Sequence, residues 1–346
     1  MANYKCPKCG APIVFKPELG GFKCDYCFST FTEAELTAAM EKTKSTAQPE
    51  TRKDTDGDGV LGYTCKNCGA EVVVGDTANT AYCYYCHSPI VIASRLENEF
   101  KPDFIIPFKI DKKQALAKFL AWAKKKKYLP RDFTGTMQQE KMTGIYLPYW
   151  QADFTAHIDY SAVGVETRVW ESGDTEYTEI KKYDIKRSGK STIKNINELA
   201  FSKINTNLIN AISDFDEEEQ LPFSPGYLAG FFSEQYDRPK EACEKNLTAR
   251  AKETVQDQIA SSYDVSRVED EQDNTTLKTD RLSYTLFPSW ILSYVYKGKS
   301  YIFSVNGQTG AIAGEAPLST GKVILGSVIK AAIVAGLLIL GGLLIW

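Results

Sequence analysis

The sequence predicts a multidomain chain: two small four-cysteine ribbons, an α+β strand-rich body, and a C-terminal transmembrane helix. Three observations predict it. A paired CxxC device occurs twice near the start, apolar and polar residues alternate through long stretches of the middle, and residues 323–346 are almost wholly apolar.

The cysteines come first. Cys6, Cys9, Cys24 and Cys27 form two CxxC pairs fourteen residues apart, and Cys65, Cys68, Cys83 and Cys86 repeat that spacing 59 positions later. The flanks repeat as well: Tyr4-Lys5-Cys6-Pro7-Lys8-Cys9-Gly10-Ala11 mirrors Tyr63-Thr64-Cys65-Lys66-Asn67-Cys68-Gly69-Ala70. Four thiolates about 2.3 Å from one ion suit tetrahedral Zn²⁺, and the two-residue gap lets backbone amides turn around each knuckle. The spacing therefore predicts two tandem zinc ribbons, residues 1–32 and 62–94, holding two Zn²⁺ ions. Four cysteines fill each shell and leave no position for a catalytic water, so the sites read as structural. Disulfides would need an oxidising compartment, and the short polar stretch before Cys6 does not read as a signal peptide. A thioredoxin-like site would use one CxxC at a strand-to-helix junction, not four in a paired repeat. His87, beside Cys86, is an alternative ligand; the reading adopted is a surface histidine or one that only touches a ligand. The ninth cysteine, Cys243, sits in a helical stretch and is expected to be a small buried apolar residue.

Within the first ribbon, residues 13–15 and Phe22 are expected on short strands, with Gly20-Gly21 turning between them. Residues 33–61 follow as a short helix over 33–43 and a polar, flexible linker over 44–59. Asp54-Thr55-Asp56-Gly57-Asp58-Gly59 resembles the start of a calcium loop, but its twelfth position is Cys65, which excludes an EF-hand and leaves a turn.

Residues 95–319 read as the α+β body. A strand is expected over 104–110, then a helix capped by Asp111 and running to Lys127, with Leu116, Phe119, Leu120 and Ala123 on or near one face. The four lysines at 124–127 complement the helix dipole; solvation is the default reading, contact with anionic lipid the sharper one. Tyr146-Leu147-Pro148-Tyr149-Trp150 opens an alternating run through Arg168, and Leu286-Phe287-Pro288-Ser289-Trp290 opens a second one. The shared Pro-x-Trp motif suggests two related strand-rich units. The second run continues through a turn at Lys297-Gly298-Lys299, a strand over 300–305, and turn signals at Asn306-Gly307 and Thr309-Gly310. His157 is expected on a sheet face. Between the runs lie an acidic stretch at 214–219, expected to be solvated, a long helix over 239–262, and a polar linker over 261–275.

Residues 323–346 carry one charge, Lys330. At about 1.5 Å per residue they span about 36 Å, enough for a hydrocarbon core of about 30 Å. Lys330 either snorkels to the headgroups or faces a partner within the membrane, and snorkelling is the reading adopted. Trp346 suits the far interface. Ala331/Ala335 and Ala332/Gly336 are small-xxx-small pairs that permit close helix contact and hence a homo-oligomer. A span at this end is expected to insert after the rest is made, leaving a cytosolic body and a single pass through the cell membrane. Lys322 before the span and reduced thiolates agree with that orientation.

Net charge of −3 gives no basic body. Residues 1–95 hold ten Lys/Arg against eleven Asp/Glu, and each Zn(Cys)₄ centre adds a formal −2. Nucleic acid is thus a disfavoured partner, because neutralising phosphates with Lys/Arg dominates that affinity. Phe22, Tyr26, Phe28, Tyr82, Tyr84 and Tyr85 are expected to fill the ribbons' small cores rather than stack on bases. No Walker loop, GxSxG, HExxH or dinucleotide fingerprint is present, and two histidines give general-base chemistry few candidates.

Three motifs carry a resemblance: the tandem CxxCG ribbons, Leu221-Pro222-Phe223-Ser224-Pro225-Gly226-Tyr227-Leu228-Ala229-Gly230-Phe231 with Glu234 and Tyr236-Asp237, and Tyr296-Lys297-Gly298-Lys299-Ser300-Tyr301 followed by Val305-Asn306-Gly307-Gln308-Thr309-Gly310. Together they resemble a bacterial family of tandem zinc-ribbon membrane proteins, the YdjG-like proteins. Relatives often bear helicase-like or TFIIB-type zinc-ribbon labels, and some carry a more extensive membrane region. The resemblance implies a membrane-complex subunit in envelope stress, associated with an SPFH (stomatin/flotillin-like) protein and a PspA-like phage-shock protein. It implies no catalytic residues. The function expected is a non-enzymatic membrane-anchored scaffold; the alternatives are a membrane-tethered nucleic-acid-binding protein and a hydrolase hidden in the body.

Overall fold

The computed structural model describes residues 4–44, 61–65, 71–74, 77–83, 89–92, 95–96, 100–204 and 206–345. The expected linker beyond Lys44 and its turn at 54–59 lie outside the described residues, as do Cys68, Tyr84, Tyr85, Cys86, His87 and Trp346.

Strands β1 (Val14–Lys16), β2 (Gly21–Lys23) and β3 (Thr30–Phe31) form a three-stranded antiparallel sheet. Gly20 makes the tight turn after Pro17–Leu19 with φ 57°, a left-handed conformation that costs glycine nothing. Helix α1 (Glu33–Lys44) begins with reciprocal bonds: Thr32 N–H donates to the Glu35 carboxylate at 2.8 Å, and Glu35 N–H to Thr32 Oγ1 at 3.3 Å. The second cysteine region supplies two antiparallel pairs, β4 (Leu61–Thr64) with β5 (Glu71–Val74) and β6 (Thr80–Tyr82) with β7 (Pro89–Val91).

The body opens with β8 (Phe104–Ile105), shorter than the 104–110 expected. Pro107 has no N–H to offer a ladder, and the N–H groups of Lys109 and Ile110 both donate to Gly307 O, at 2.9 and 2.8 Å. Helix α2 (Lys112–Lys124) starts at Asp111 as expected, with a full capping box to Gln114. It stops three residues early because the N–H groups of Lys125 and Lys126 tighten onto Trp122 O and Ala123 O. Then come α3 (Thr136–Glu140), β9 (Thr143–Ser172), β10 (Thr175–Leu199), α4 (Thr206–Asn210), β11 (Leu221–Pro222), β12 (Phe232–Ser233), α5 (Lys240–Ala260), β13 (Arg267–Asp273), β14 (Thr276–Tyr296), β15 (Lys299–Asn306), β16 (Ile312–Gly314) and α6 (Thr320–Ile345).

β8 to β16 make one sheet along the path β10-β9-β14-β15-β16. β9 and β14 run antiparallel with Leu147 opposite Phe287, flanked by Tyr146 opposite Pro288 and Pro148 opposite Leu286. The two Pro-x-Trp motifs therefore lie side by side, related by a local two-fold. The stretch expected as a polar linker over 261–275 instead contains β13, which continues the row of β14 along β9. Its composition, Arg-Val-Glu-Asp-Glu-Gln-Asp, hides this: backbone pairing holds the strand, with a bulge at Asp270 where φ is 52°. α5 buries Cys243, Leu247, Ala251, Val255 and Ile259, one residue per turn. Cys243 thus fills the small apolar place foreseen for it. Buried Glu198 of β10 accepts from Arg238 and Asn246, each at 3.1 Å, at the start of that helix. His157 stands exposed on the sheet, as expected.

The core is aromatic. Phe108 stacks on Phe231 with centroids 4.1 Å apart, Trp290 meets Phe108 edge-on at 5.2 Å, and Tyr146 does so at 5.0 Å. Two glycines make room: a Cβ on Gly144 would lie 2.6 Å from the Phe231 ring, and one on Gly307 2.6 Å from the Phe108 ring.

The acidic stretch is not simply solvated. Glu217 accepts from Gln151 Nε2 and, at 2.6 Å, from Asn197 Nδ2, while Glu219 pairs with Lys109 and accepts from Gln308 Nε2 at 2.8 Å. Burial pushes the Glu217 carboxyl up to about 7, opposed by the Asn197 amide; Asp153 adds to the rise and Arg281 works against it.

Two predictions follow from this packing and this carboxyl. Gly144→Ala or Gly307→Ala overpacks the stacked rings and is expected to lower stability by about 1–3 kcal/mol, read from denaturant midpoints of the detergent-solubilised full chain. For Glu217 the folded pKa lies above the unfolded value of about 4.3, so its stabilising contribution is complete below about pH 4 and is lost as pH rises through about 7. Glu217→Gln should therefore gain stability relative to wild type across that window; a difference that stays flat with pH contradicts the buried-carboxyl account.

Candidate metal centre and its seat

Each knuckle of the first unit is a tight backbone turn around a CxxC. Gly10 N–H donates to Cys6 O at 2.9 Å, and Phe28 N–H donates to Cys24 O at 2.9 Å. Both closing residues have positive φ, 75° at Gly10 and 57° at Phe28. The chain thus brings together Cys6, Cys9, Cys24 and Cys27, whose Sγ atoms all lie within 4.8 Å of one another. Cys6–Cys27 and Cys9–Cys24 are each 3.5 Å apart. A tetrahedral ion with bonds of about 2.3 Å places sulfurs about 3.8 Å apart, so these residues can hold one metal ion. Ser29, first through its hydroxyl and then its backbone N–H, lowers the Cys27 thiol to about 6, whereas Cys9, against a lowering hydrogen bond from the Ala11 backbone, is pushed up to about 12 by burial and by the other three thiols.

Cys65 and Cys83 are both fully buried among Val72, Val74, Ile90 and Ile92. Their expected partners Cys68 and Cys86 lie outside the described residues.

The aromatic residues divide. Phe22 is buried as expected, but Tyr26 is 74% and Phe28 72% exposed. Tyr26 lies between the two cysteines of the second knuckle and Phe28 directly after them, on a tight turn that points both outward. Phe28 also carries a left-handed backbone at a non-glycine position, a local cost of about 1 kcal/mol. Tyr82 is half-buried.

Sequence reasoning missed where these units sit. Phe15 meets Tyr227 at 5.3 Å and Phe231 at 6.5 Å, and Phe15 N–H donates to Ala229 O at 3.0 Å. Gly226 lets Phe22 approach: a Cβ there would lie 3.2 Å from its ring. The second unit docks on the next residues of the same segment. Asn79 N–H donates to Ser233 O and Gln235 N–H to Thr77 O, both at 2.7 Å, while Tyr82 packs on Phe232 at 5.3 Å. On its other side the segment pairs with β9 through β12, parallel, with Phe232 beside Ile145. Residues 226–235 are therefore the common seat of both cysteine units. The signal available in sequence was this Gly- and aromatic-rich motif itself, with nothing local to name its partners.

α6 is long and apolar enough to span a membrane, and none of the stretch Thr320–Leu337 is buried. Lys330 and Ala332 are exposed, and a Cβ on Gly336 would meet nothing within 4 Å.

Comparison with known proteins places this architecture. The chain is 30% identical over 330 residues to the uncharacterized protein YdjG of Bacillus subtilis (strain 168), across 93% of this chain and 92% of that one. The chain belongs to the YdjG family. A match of that extent rests on the YdjG-type body as well as on its cysteines. No family model and no solved structure matches the chain.

Replacing Cys9 or Cys27 by Ser is expected to remove one metal equivalent per chain, measured by elemental analysis of the purified full-length protein. Because Phe15 and Phe22 cover the seat, the same variants should become more sensitive to protease within 221–237; unchanged metal content would dissociate these cysteines from metal.

Proposed function

We propose that the chain is a non-enzymatic, membrane-anchored scaffold whose zinc ribbons and strand-rich body recruit partners to a membrane complex. The observation that carries this reading is α6, a long helix whose apolar side chains Ile324, Leu325, Val328, Ile329, Ile333 and Val334 are half or more exposed, with none of the stretch Thr320–Leu337 buried among the described residues. Such a helix is soluble only in lipid or against another apolar helix. In this reading α6 crosses the cell membrane once, the body is cytosolic, Lys330 snorkels, and small-residue pairs such as Ala332/Gly336 allow self-association.

The all-thiolate donor set of the first unit suits Zn²⁺, and the spacing repeat supports a second Zn²⁺ held by Cys65, Cys68, Cys83 and Cys86. A zinc knuckle substitutes for a hydrophobic core in a small unit and holds an outward-facing surface rigidly. Tyr26 and Phe28 provide that surface. Confinement by the anchor raises its effective concentration for partners at the membrane. SPFH-type and PspA-like partners in envelope stress are what the family resemblance adds.

The same two exposed aromatics, with Lys23 Nζ 6.0 Å over the Phe28 ring, support a second reading in which the ribbon stacks on single-stranded nucleic acid. The acidic balance of the ribbon region speaks against it.

A crosslinked pull-down of the full-length protein from its native cell, with mass spectrometry, separates the two. Tyr26→Ala with Phe28→Gly is expected to lose a membrane-associated partner at least tenfold while zinc content and membrane insertion persist. Undiminished recruitment in that variant rejects the knuckle as the docking surface, and recovery of nucleic acid in a salt-sensitive manner supports the second reading.

A further inference from the structure

At the base of α6 the surface turns basic around a cleft of about 460 Å³, lined by Lys124, Lys126, Lys127, Arg131 and Lys322 with Leu120 at its edge. The cleft lies where α2 ends and where the chain returns to enter α6. Two hydrogen bonds fix that corner: Ser319 N–H donates to Tyr128 O at 2.8 Å, and Lys322 Nζ donates to Leu129 O at 2.7 Å. The Tyr128 ring lies so close to α6 that a Cβ on Gly326 would be 3.0 Å from it. From the neighbouring β14–β15 hairpin, Lys297 Nζ reaches Thr320 Oγ1 at 2.9 Å.

The charges are unbalanced. Among the described residues none of the five cations lining the cleft has an ion-pair partner. The adjacent carboxylate, Asp132, accepts instead from the Tyr294 hydroxyl at 2.9 Å. Like charges gathered in a concave, low-dielectric wall raise the local potential and call for an anion. The surroundings fit a bilayer surface: half-buried Trp122 carries Lys126 Nζ 5.2 Å over its ring, Tyr128 touches the helix, and Leu120 and Leu318 are exposed beside it. Trp and Tyr with snorkelling cations mark the level of lipid headgroups.

We propose that this cleft binds the phosphate headgroup of an anionic phospholipid at the surface of the membrane that α6 enters. The proposal rests on reading α6 as the membrane span. Lys126, Lys127 and Arg131 supply charge and hydrogen-bond donors to the phosphate oxygens, and the exposed apolar face of α6 receives the acyl chains. A soluble phosphate would meet the same cations, but the position at the foot of an apolar helix selects the lipid.

The test uses the full-length protein reconstituted into vesicles of phosphatidylcholine alone or of phosphatidylcholine with phosphatidylglycerol, then extracted gently and examined by native mass spectrometry for retained lipid. Flotation with phosphatidylcholine vesicles reports the anchor independently of the cleft. Wild type is expected to retain phosphatidylglycerol over phosphatidylcholine by about fivefold or more, the preference that one cation near an anionic surface supplies. Lys126→Gln, Lys127→Gln and Arg131→Gln together should abolish the preference without loss of flotation, and Lys126→Arg, Lys127→Arg and Arg131→Lys should keep it. Equal retention in wild type and the Gln variant overturns the cleft while leaving the anchor standing. Failure to float overturns the anchor, and the lipid proposal with it. Thermal stabilisation by inorganic phosphate in detergent, lost in the Gln variant, with no lipid preference, reassigns the cleft to a soluble anion and overturns the lipid reading.

Discussion

Both cysteine units lean on one stretch of chain, residues 226–235, and that stretch leans on the sheet. Its backbone is divided between neighbours: Ala229 O accepts from the first unit, Ser233 O accepts from Asn79 of the second, Glu234 N–H donates to Tyr146 O of β9, and Phe231 drops its ring into the core against Phe108. Small units of this kind cannot bury enough apolar surface to hold themselves in place. Their orientation comes from the seat, and the seat's conformation comes from β9 and from Gly144 and Gly307, which admit the stacked rings. The cysteine units, the segment and the sheet pack together as far as the described residues reach, rather than as knobs on a loose tether.

What was legible in the sequence was local. The spacing of Cys6, Cys9, Cys24 and Cys27 is read by one knuckle geometry, Asp111 and Gln114 cap their own helix, and Lys297-Gly298 make a hairpin turn with positive φ at both residues. α6 declares itself by length and composition alone. What escaped depends on partners far away in the chain. β13 is a strand only because β9 extends beyond β14 and offers it a free edge; its charged side chains give no alternation to detect. Glu217 sits in an acidic run that looks solvated until Gln151 and Asn197, brought from two strands, close on it. Tyr26 and Phe28 read as core in the sequence because so small a unit has little else to bury, whereas Phe15 and Phe22 borrow Tyr227 and Phe231 from the body and complete the interior without them. The cysteine cluster could be read in full, and its surroundings could not.

The molecule separates its chemistry by location. The thiols lie on the seat side, the polar network around Glu217 on the sheet, and the cations around the start of α6. Net charge alone, slightly negative, conceals this arrangement. A chain of ordinary composition can thus present an electropositive corner where its apolar helix leaves the body, and an aromatic corner where its second cysteine knuckle faces outward.

β9 is thirty residues long, about 100 Å of chain at about 3.4 Å per residue, and its last quarter outruns the sheet. Beyond Val165, opposite the first residue of β13, β10 is the strand that pairs with it, to a tip at Gly173 carrying the stacked pair Trp170 and Tyr177. A two-stranded ribbon twists freely and resists bending poorly compared with a wide sheet. The overhang is therefore a cantilever: pliant at its tip, clamped at its root, and continuous through a single strand with the residues that pair with the seat. Whatever grips Trp170 would pull along β9 itself, so strain applied at the tip arrives, by the shortest covalent path the fold contains, beneath both cysteine units.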